Sequence, residues 1–558
     1  MRMPQTSADA QGAGLTAPDQ AARRGVHAWA WPLGLLVAGG LQALSLAWPW
    51  ARGQGGGWLS LEGGYGRPLW WLQLLSLAVL VYALLAARTP RQAAGRAQWF
   101  ALAWLTATFW WLFISMHVYG GLAAPLAVAA VLALAAFLGS YYALVSWCFK
   151  RLVCAPSAQA AIVFASLWTL AELARGWLWT GFPWGAGGYA HVEGPLAVLP
   201  RWIGVYGTGW VAAWLAAWLA ISVWRARNGS GLRGAKAGLV AVLVLALVWG
   251  GLWFSRERAV NAPSALPGMS VALLQGDIPQ DEKFEMGSGI PLALNWYAQQ
   301  LHAATAQLVV APETAIPLLP QQLPPGYLDL VRAPFVKPQG GQAALIGIPL
   351  GNFEQGFTNS VEGWKPGQAQ PYLYSKHHLV PFGEFIPPLF RWFTDLMNIP
   401  LGDFNRGDLG QPSMPWAGER LSPNICYEDL FGEELAAHFG DAAQAPTVLV
   451  NLSNIGWFGD SVAIDQHLAI SRMRALEFER PMLRATNTGA TVVIDHRAQV
   501  VHALAPFDRN VLEGRVQGRE GLTPYARWVH ALGLTPLTLL CLAVLAVAWR
   551  RGRDGAKA

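Results

Sequence analysis

Charged residues are scarce in this chain. Asp, Glu, Lys and Arg make up 13% of its 558 residues, whereas a soluble domain usually carries about 25%. Hydrophobic residues make up 54%, and 30 positions are tryptophan. This composition excludes an ordinary soluble protein and indicates a membrane protein. The net charge of +6 does not predict nucleic-acid binding, because the basic residues form short clusters between apolar runs rather than one patch.

Cysteine is nearly absent as well. The chain has four cysteines, and Cys426 is the only one between Cys154 and Cys541. A disulfide within that long stretch is therefore excluded. Since an oxidising compartment favours paired cysteines, a lone thiol there is either an inert buried side chain or a reactive group. The side of the membrane on which Cys426 lies thus matters for its interpretation.

Metal-binding motifs are missing too. The sequence contains no HExxH pattern and no cluster of cysteine and histidine. His377 and His378 are adjacent, and neighbouring side chains in a strand point to opposite faces. We therefore expect neither a metal ion nor another cofactor.

What the sequence does contain is a series of long apolar runs. Each is close to the roughly 20 residues that a helix needs to cross the hydrocarbon core, so they predict a polytopic α-helical membrane domain with about eight transmembrane helices. The first run follows Arg23 and Arg24 but is too long for the apolar part of a signal peptide, so we interpret it as an anchor. The runs lie at about 28–48, 68–87, 98–118, 122–147, 160–179, 203–224, 238–254 and 528–549.

Lysine and arginine predict the orientation of these helices. Basic residues follow the second, fourth, sixth and eighth runs, whereas the turn at 119–121 has none and the loop at 51–67 has two. Because positive residues stay on the cytoplasmic side, we expect both termini in the cytoplasm and the segment 255–527 outside.

These runs set the predicted boundaries along the chain. The membrane part is interrupted once, by a long segment that a linker and a connector join to the flanking helices. The boundaries are a polar cytoplasmic tail at 1–27, a membrane domain with seven helices at 28–254, a linker at 255–269, an external domain at 270–515, a connector at 516–527, an eighth helix at 528–549 and a basic cytoplasmic tail at 550–558.

The external segment has the alternating pattern of an α/β domain. Strands are predicted by "MSVALLQGDIP", "AQLVVAPET", "AALIGIPLG", "TVLVNLSN" and "ATVVIDHRAQVV", and a helix by "DQHLAISRMRALEFER". Such alternation favours a layered α/β fold. Pro423 interrupts the stretch before Cys426, so we expect that strand either to start after Asn424 or to have an irregular edge.

Three reactive side chains stand at the ends of these strand-like runs. Glu313 follows "LVVAP", Lys376 lies in "YSKHHLVPFGEFIP", and Cys426 lies in "NICYEDLF". Attack on a carbonyl needs a thiolate, a base for its proton and donors for the oxyanion, which these residue types supply. Spacing alone does not prove that the three converge. Ordinary surface charges and a buried, inert cysteine are the alternatives.

The motifs around these residues resemble the nitrilase superfamily. "PET" at Glu313, the lysine of "YSKHHLVPFGEFIP" and "ICYE" at Cys426 are similar to its Glu–Lys–Cys set. The resemblance implies an α-β-β-α sandwich that hydrolyses or transfers acyl groups at C–N bonds. It also implies that Glu313 is the base, that Lys376 stabilises the oxyanion and that Cys426 is the nucleophile.

An external domain of this type between two membrane helices resembles the apolipoprotein N-acyltransferase family. That family would act in the bacterial inner membrane, with a periplasmic catalytic domain. A phospholipid would donate the acyl chain, and the N-terminal diacylglyceryl-cysteine of an apolipoprotein would accept it. The implied partners are thus these two substrates and the bilayer; we expect a monomer and no nucleic acid. Further matching motifs are "RGWLWTGFPW", "QGDIPQ", "NLSNIGWFG" and "GLTPYAR".

Other residues near these motifs are predicted to assist. Glu384, between two phenylalanines, is expected to orient Lys376 or Glu313, and Tyr427 and Glu428 are expected to support the site. Four aromatic residues are candidates for contact with substrate or lipid, with plain packing as the alternative. They are Trp177, Trp184, Trp457 and Phe458.

Two other functions compete with acyl transfer to a lipoprotein. A membrane-tethered amidase of the nitrilase type would use the same three residues and release the acid to water. A transporter or scaffold would not be an enzyme. The mostly apolar helices argue against a transporter, and the reactive residues at strand ends argue against a scaffold. The eight helices and the aromatic segments favour a lipid donor over the amidase.

Overall fold

The structure of the protein is a computed structural model that describes residues 17–49, 66–153, 155–228, 250, 267–368, 370–387 and 403–555. The helix predicted at 238–254 lies outside this part of the chain, except for Gly250.

Six long helices precede residue 228 in the described part. Two of them begin with a side-chain cap, since Thr89 accepts the N–H of Gln92 and Ser157 accepts that of Ala160. Such caps satisfy donors that the first turn leaves free. The helices are α1 (Ala17–Leu44), α2 (Trp70–Leu85), α3 (Pro90–Phe109), α4 (Ala124–Leu152), α5 (Ala158–Trp177) and α6 (Pro200–Arg227).

Four helices in the described residues are long and apolar enough to cross a membrane. They are α4, α5, α6 and the C-terminal helix, and α3 would make a fifth span together with the segment Leu112–Tyr119, which is bent by 60° against it. The apolar stretches of α1 and α2 are shorter. The membrane character of the chain is thus supported, and the count of eight spans stays a prediction.

The α/β part of the described chain contains twelve strands in two six-stranded sheets. The first sheet has the order β12-β1-β2-β3-β4-β5 and the second the order β11-β10-β9-β8-β7-β6. The strands are β1 (Met269–Gln275), β2 (Leu308–Ala311), β3 (Ala343–Asn352), β4 (Gly356–Trp364), β5 (Tyr372–Ser375), β6 (Met414–Trp416), β7 (Glu419–Ile425), β8 (Val448–Ser453), β9 (Met482–Thr486), β10 (Val492–Ile494), β11 (Val500–Ala503) and β12 (Asn510–Val516).

Helices cover the outer faces of both sheets. On the first sheet lie α7 (Gly289–Ala303) and α8 (Tyr327–Val336), and on the second lies α9 (Ala463–Phe478). In β1, Val271 and Leu273 face the core between the sheets, whereas Ala272 and Leu274 face the helices. The alternation follows the two-residue period of a strand, and burial on both faces explains the continuous apolar runs. The predicted α-β-β-α sandwich is confirmed.

The strand before Cys426 does not start after Asn424, because Pro423 lies inside it, and the alternative of an irregular edge holds. β7 starts at Glu419, and Pro423 pairs with Val450 of β8 in an unbroken parallel register. The neighbour on the other side, β6, pairs with β7 only from Glu419 to Leu421. Beyond Leu421 no strand among the described residues lies beside this edge, so the N–H that proline lacks is not needed there.

The C-terminal apolar run is broken. A continuous helix was expected over 528–549, but α10 (Pro524–Leu532) ends at Gly533, and α11 (Thr535–Gly555) follows. Gly533 has φ +57°, a conformation that favours glycine and ends a helix. Hydropathy alone does not reveal this break.

The α/β domain is fastened to α6 through its own helices. Gly204, with φ +66°, interrupts the first turns of α6, and the next N–H, that of Val205, donates to Glu477 of α9 at 2.7 Å. A Cβ on Gly204 would lie 2.2 Å from the ring of Tyr525 in α10. The kink in α6 thus allows the two parts of the protein to pack closely.

Candidate active site

Cys426 stands at a sharp turn where β7 ends. The strand ends at Ile425, and Cys426 opens a 3₁₀ turn that runs to Leu430. Its φ of +52° lies in the left-handed region, which costs a residue with a side chain about 1–3 kcal/mol and persists only where the surroundings hold it. The turn places the thiol at the carboxyl edge of the second sheet, where α/β folds position reactive groups.

Glu313 comes to the same edge from the first sheet. It follows β2 by two residues and is buried. Its Oε1 accepts a hydrogen bond from Asn359 Nδ2 at 2.7 Å, and its Oε2 accepts one from the backbone N–H of Asn454 at 2.8 Å. Asn359 lies in β4 and Asn454 directly follows β8. The carboxylate is therefore held by both sheets.

Lys376, the residue after β5, is buried between two carboxylates. Its Nζ lies 3.4 Å from Glu313 Oε1 and 2.9 Å from the Glu384 carboxylate. Asn359 Nδ2 also donates to Glu384, at 2.7 Å. Burial by itself lowers the pKa of Lys376, but the charges of Glu384 and Glu313 outweigh it and hold the pKa above its usual range. Lys376 is thus a cation at every physiological pH.

The surroundings keep the Cys426 thiol protonated. Burial, followed by the charge of Glu313, raises the pKa of this thiol to about 12, although Lys376 and a hydrogen bond from Ser453 favour the thiolate. Ser453 Oγ lies 3.3 Å from Sγ. Formation of the thiolate at neutral pH therefore requires a base beside it, and Glu313 is the carboxylate whose charge acts on the thiol.

Glu428 ties the Cys426 turn to the Lys376 segment. One carboxylate oxygen accepts the N–H groups of His377 at 2.6 Å and His378 at 3.2 Å, and the other accepts that of Ile425 at 2.6 Å. Tyr374 OH also donates to it, at 2.8 Å. Because Ile425 precedes Cys426 and His377 follows Lys376, this buried side chain fixes the position of Cys426 relative to Lys376.

Tyr427 connects the turn to the membrane part of the chain. Its hydroxyl donates to the carbonyl of Gly181 at 3.0 Å, and its ring lies parallel to that of Phe182, with centroids 6.4 Å apart. Both partners belong to the loop between α5 and α6. The residue after Cys426 is thus held from the membrane side.

The four aromatic candidates for lipid contact lie in different environments. Trp177, at the end of α5, is 80% exposed, whereas Trp184 is 2% exposed and donates to Gln466. Phe458 packs on Trp111 with ring centroids 4.2 Å apart, and Trp457 is half-buried against Tyr119. Contact of these residues with lipid or substrate stays a prediction.

Several residues of the site were not among the candidates taken from the sequence. Asn359 and Asn454 hold the two carboxylates, and Lys283 is a second buried cation, whose Nζ donates to the Glu313 carbonyl at 3.2 Å. Burial lowers the pKa of Lys283 to about 8, against the charge of Glu313. An asparagine directly after the run "VLVNLS" could have been noticed as a residue at a strand end. Asn359 lies within a strand and gives no such sign.

The described residues contain no group of side chains that forms a candidate metal site. Nowhere among them do three or more His, Cys, Asp or Glu side chains lie close enough together to hold an ion. The arrangement at Cys426 combines a thiol, a carboxylate and a buried ammonium, which are the groups that acyl transfer through a thioester uses.

Two family models match the chain. Residues 38–218 match the apolipoprotein N-acyltransferase N-terminal domain, and residues 270–525 match carbon-nitrogen hydrolase. The two matches divide the chain at the same place as the structure does, into a helical part and a sandwich.

Relatives match over nearly the whole length. The apolipoprotein N-acyltransferase of Verminephrobacter eiseniae is 57% identical over 530 residues, covering 91% of this chain and 94% of that protein. That of Ralstonia nicotianae is 46% identical, covering 87% and 90%. Among solved structures, a carbon-nitrogen hydrolase from Helicobacter pylori matches 45% of this chain and 89% of its own, at 15% identity and a TM-score of 0.33.

The raised pKa of the Cys426 thiol predicts an unusual pH profile for its alkylation. Since the thiolate is the reactive form, the rate constant with iodoacetamide should rise about tenfold per pH unit and not level off by about pH 10. An exposed thiol with a pKa of about 8.5 levels off earlier. Lys376→Met should lower the rate further, because the ammonium favours the thiolate. Mass spectrometry of the peptide that contains Cys426 measures the rate; a plateau below pH 8 would contradict this assignment.

Proposed function

Since this chain belongs to the apolipoprotein N-acyltransferase family, we propose that Cys426 is the nucleophile of its acyl transfer, with Glu313 as the base and Lys376 as the cation that stabilises the oxyanion. One observation carries the proposal: Lys376 Nζ lies 3.4 Å from Glu313, and the charges of both act on the Cys426 thiol. The chain is an acyltransferase of lipoprotein maturation.

The first half-reaction transfers an acyl chain from a phospholipid to the enzyme. The Glu313 carboxylate takes the thiol proton, and the sulfur of Cys426 attacks the ester carbonyl. Lys376 faces the negative charge on the oxyanion. When the intermediate collapses, the ester C–O bond breaks, and Glu313 returns the proton to the departing lysophospholipid. The acyl chain is then a thioester on Cys426.

The second half-reaction passes the chain to the lipoprotein. The α-amine of the N-terminal diacylglyceryl-cysteine attacks the thioester, a C–N bond forms and the C–S bond breaks. The amine proton goes to Glu313 and from there to the sulfur, which restores the thiol. Both halves use the same base and the same cation, as a ping-pong mechanism requires.

The location of the two substrates accounts for the attachment of the sandwich to membrane helices. We place the α/β domain on the periplasmic side of the bacterial inner membrane, with both termini in the cytoplasm. Basic residues after the second, fourth, sixth and eighth apolar runs support this orientation. Exposed Trp177, at the end of α5, then lies at the outer interface, where amphipathic rings are favoured.

Hydrolysis is the competing reaction at such a site. A nitrilase-type amidase would use the same three residues, with water as the acceptor in place of the amine. The family of the chain favours transfer to an amine, and the product of the second half-reaction distinguishes the two.

Trapping the acyl-enzyme tests the nucleophile. Incubation of the purified protein with a phospholipid carrying a labelled acyl chain should label the wild type through a hydroxylamine-sensitive bond. Cys426→Ala should stay unlabelled, because it lacks the sulfur, and Glu313→Gln should label at least about 100-fold more slowly, because it lacks the base. Mass spectrometry of the labelled peptide gives the site.

A matched control is Cys148→Ala, which removes a thiol in α4 and should label like the wild type. Labelling of Cys426→Ala would rule out the proposed nucleophile. Free fatty acid as the sole product, with a diacylglyceryl lipopeptide present, would support the amidase instead.

The position of Glu313 is predicted to depend on Gly347 in β3. A Cβ at Gly347 would lie 2.3 Å from the carbonyl oxygen of Pro312 and 2.7 Å from Glu313 Cα, so Gly347→Ala must displace the base. We expect acyl-enzyme formation to slow about 100-fold, the loss that a shift of about 1 Å can cause. Gly341→Ala, whose Cβ would meet nothing within 4 Å, is the control and should keep the wild-type rate. Equal rates for the two variants would contradict the prediction.

The orientation can be tested with single engineered cysteines. Glu354→Cys lies on an exposed turn of the α/β domain and Arg91→Cys at the exposed start of α3. A maleimide that does not cross membranes should label the first but not the second in intact spheroplasts, and both after lysis. Labelling of Arg91→Cys alone in intact spheroplasts would reverse the proposed topology.

A further inference from the structure

The backbone carbonyl of Cys426 is held by two side chains that the mechanism above does not use. His467 Nε2 lies 3.2 Å from this oxygen, and Asn451 Nδ2 donates to it at 3.3 Å. Asn451 belongs to β8, beside the strand that carries Cys426, and His467 belongs to α9. The nucleophile has a left-handed backbone, which the surroundings must hold in place.

The neighbours of His467 fix its tautomer. Arg484 Nη2 lies 2.8 Å from His467 Nδ1, and because an arginine only donates, Nδ1 must be the acceptor. The ring proton is therefore on Nε2, which donates to Asp429 Oδ1 at 2.8 Å and to the Cys426 carbonyl. Asp429 is itself held by Ser471 Oγ. With both ring nitrogens engaged, His467 is not placed to take the thiol proton.

Because the peptide bond is planar, the direction of the Cys426 carbonyl determines the direction of the Tyr427 N–H. In a trans peptide the C=O and the following N–H point in opposite directions. Hydrogen bonds that hold the Cys426 carbonyl toward α9 and β8 therefore direct the N–H of Tyr427 away from them. Tyr427 N–H is the first donor after the nucleophile, at the start of the 3₁₀ turn.

We propose that His467 is a positioning residue that, by holding the Cys426 carbonyl, aims the N–H of Tyr427 at the oxyanion formed on the acyl group. The inference rests on the proposed role of Cys426 as nucleophile. It gives a function to the buried Asp429–His467–Arg484 cluster next to the Cys426 turn.

The membrane part of the chain supports this histidine. The ring of Trp184 packs on that of His467, with centroids 5.2 Å apart, and Trp184 Nε1 donates to the neighbouring Gln466 at 2.8 Å. Trp111 Nε1 donates to the same Gln466 oxygen at 3.1 Å. Two tryptophans from the membrane helices and their loop thus fix the start of α9, from which His467 reaches Cys426.

Three variants in the full-length protein test the role of His467. His467→Leu removes the donor, whereas His467→Gln can accept from Arg484 through its oxygen and donate to Cys426 through its nitrogen. His302→Gln, on the exposed face of α7, is the matched control. The readout is the single-turnover rate constant of acyl-enzyme formation from a labelled phospholipid, together with the KM for that lipid and the melting temperature.

We expect His467→Leu to slow acyl-enzyme formation by about 10- to 100-fold, somewhat less than the loss of a whole oxyanion donor, with KM within about twofold. His467→Gln should recover to within about threefold of the wild type. His302→Gln should be unchanged. If the role of His467 were purely structural, His467→Leu would lower the melting temperature but would not slow acyl-enzyme formation at an unchanged KM.

Two results would overturn the inference: a wild-type rate in His467→Leu, or a His467→Gln as slow as His467→Leu. If His467→Leu does not accumulate, His467→Met, of similar size and without a donor, gives the same comparison. Failure of the nucleophile assignment looks different, because the wild type itself would then carry no label on Cys426.

Discussion

The structure depends on keeping one ammonium out of water. Lys376 is 1% exposed, and an unpaired charge in such a place would cost several kcal/mol. Glu313 and Glu384 pair with it, and Asn359 donates to both carboxylates, which offsets part of their mutual repulsion. These groups come from β4, from the end of β2, and from the end of β5 and the turn that follows it. The order of the first sheet is therefore what makes the buried cation tolerable, and the same cation is what a thiolate and an oxyanion require.

The second sheet meets this cluster through few but directed contacts. The N–H of Asn454 donates to Glu313 Oε2. Glu428 accepts the N–H groups of Ile425, which precedes Cys426, and of His377, which follows Lys376. The contacts of Asn454 with Glu313 and of His377 with Glu428 each join a strand end of one sheet to a strand end of the other, so the apolar core between the sheets sets the distance across the site. Packing far from the thiol thus controls its chemistry.

Residue patterns predict the layers of this fold better than its junctions. Strands such as Met269–Gln275 could be anticipated because burial on both faces demands continuous apolar residues, and Glu313, Lys376 and Cys426 because their motifs are distinctive. Asn359 could not, since it lies within a strand and only the sheet order brings positions 313 and 359 together. The helix break at Gly533 could not be predicted, because hydropathy contains no information about a positive φ. The burial of Trp184 could not be predicted either, because a tryptophan next to a membrane helix can contact lipid or pack inside the protein.

The raised pKa of the Cys426 thiol bears on how the helical part and the α/β domain are joined. In the proposed mechanism Cys426 does not supply its own thiolate, so acyl transfer proceeds only when Glu313, Lys376 and the substrate carbonyl are aligned at the same moment. Errors of about 1 Å at such a site are costly. The α/β domain therefore cannot sit on a flexible tether: Val205 donates to Glu477 at one end of α9, and Trp184 packs on His467 at the other. Both ends of α9 thus contact the helical part of the chain, so this helix joins the apolar helices to the Cys426 turn.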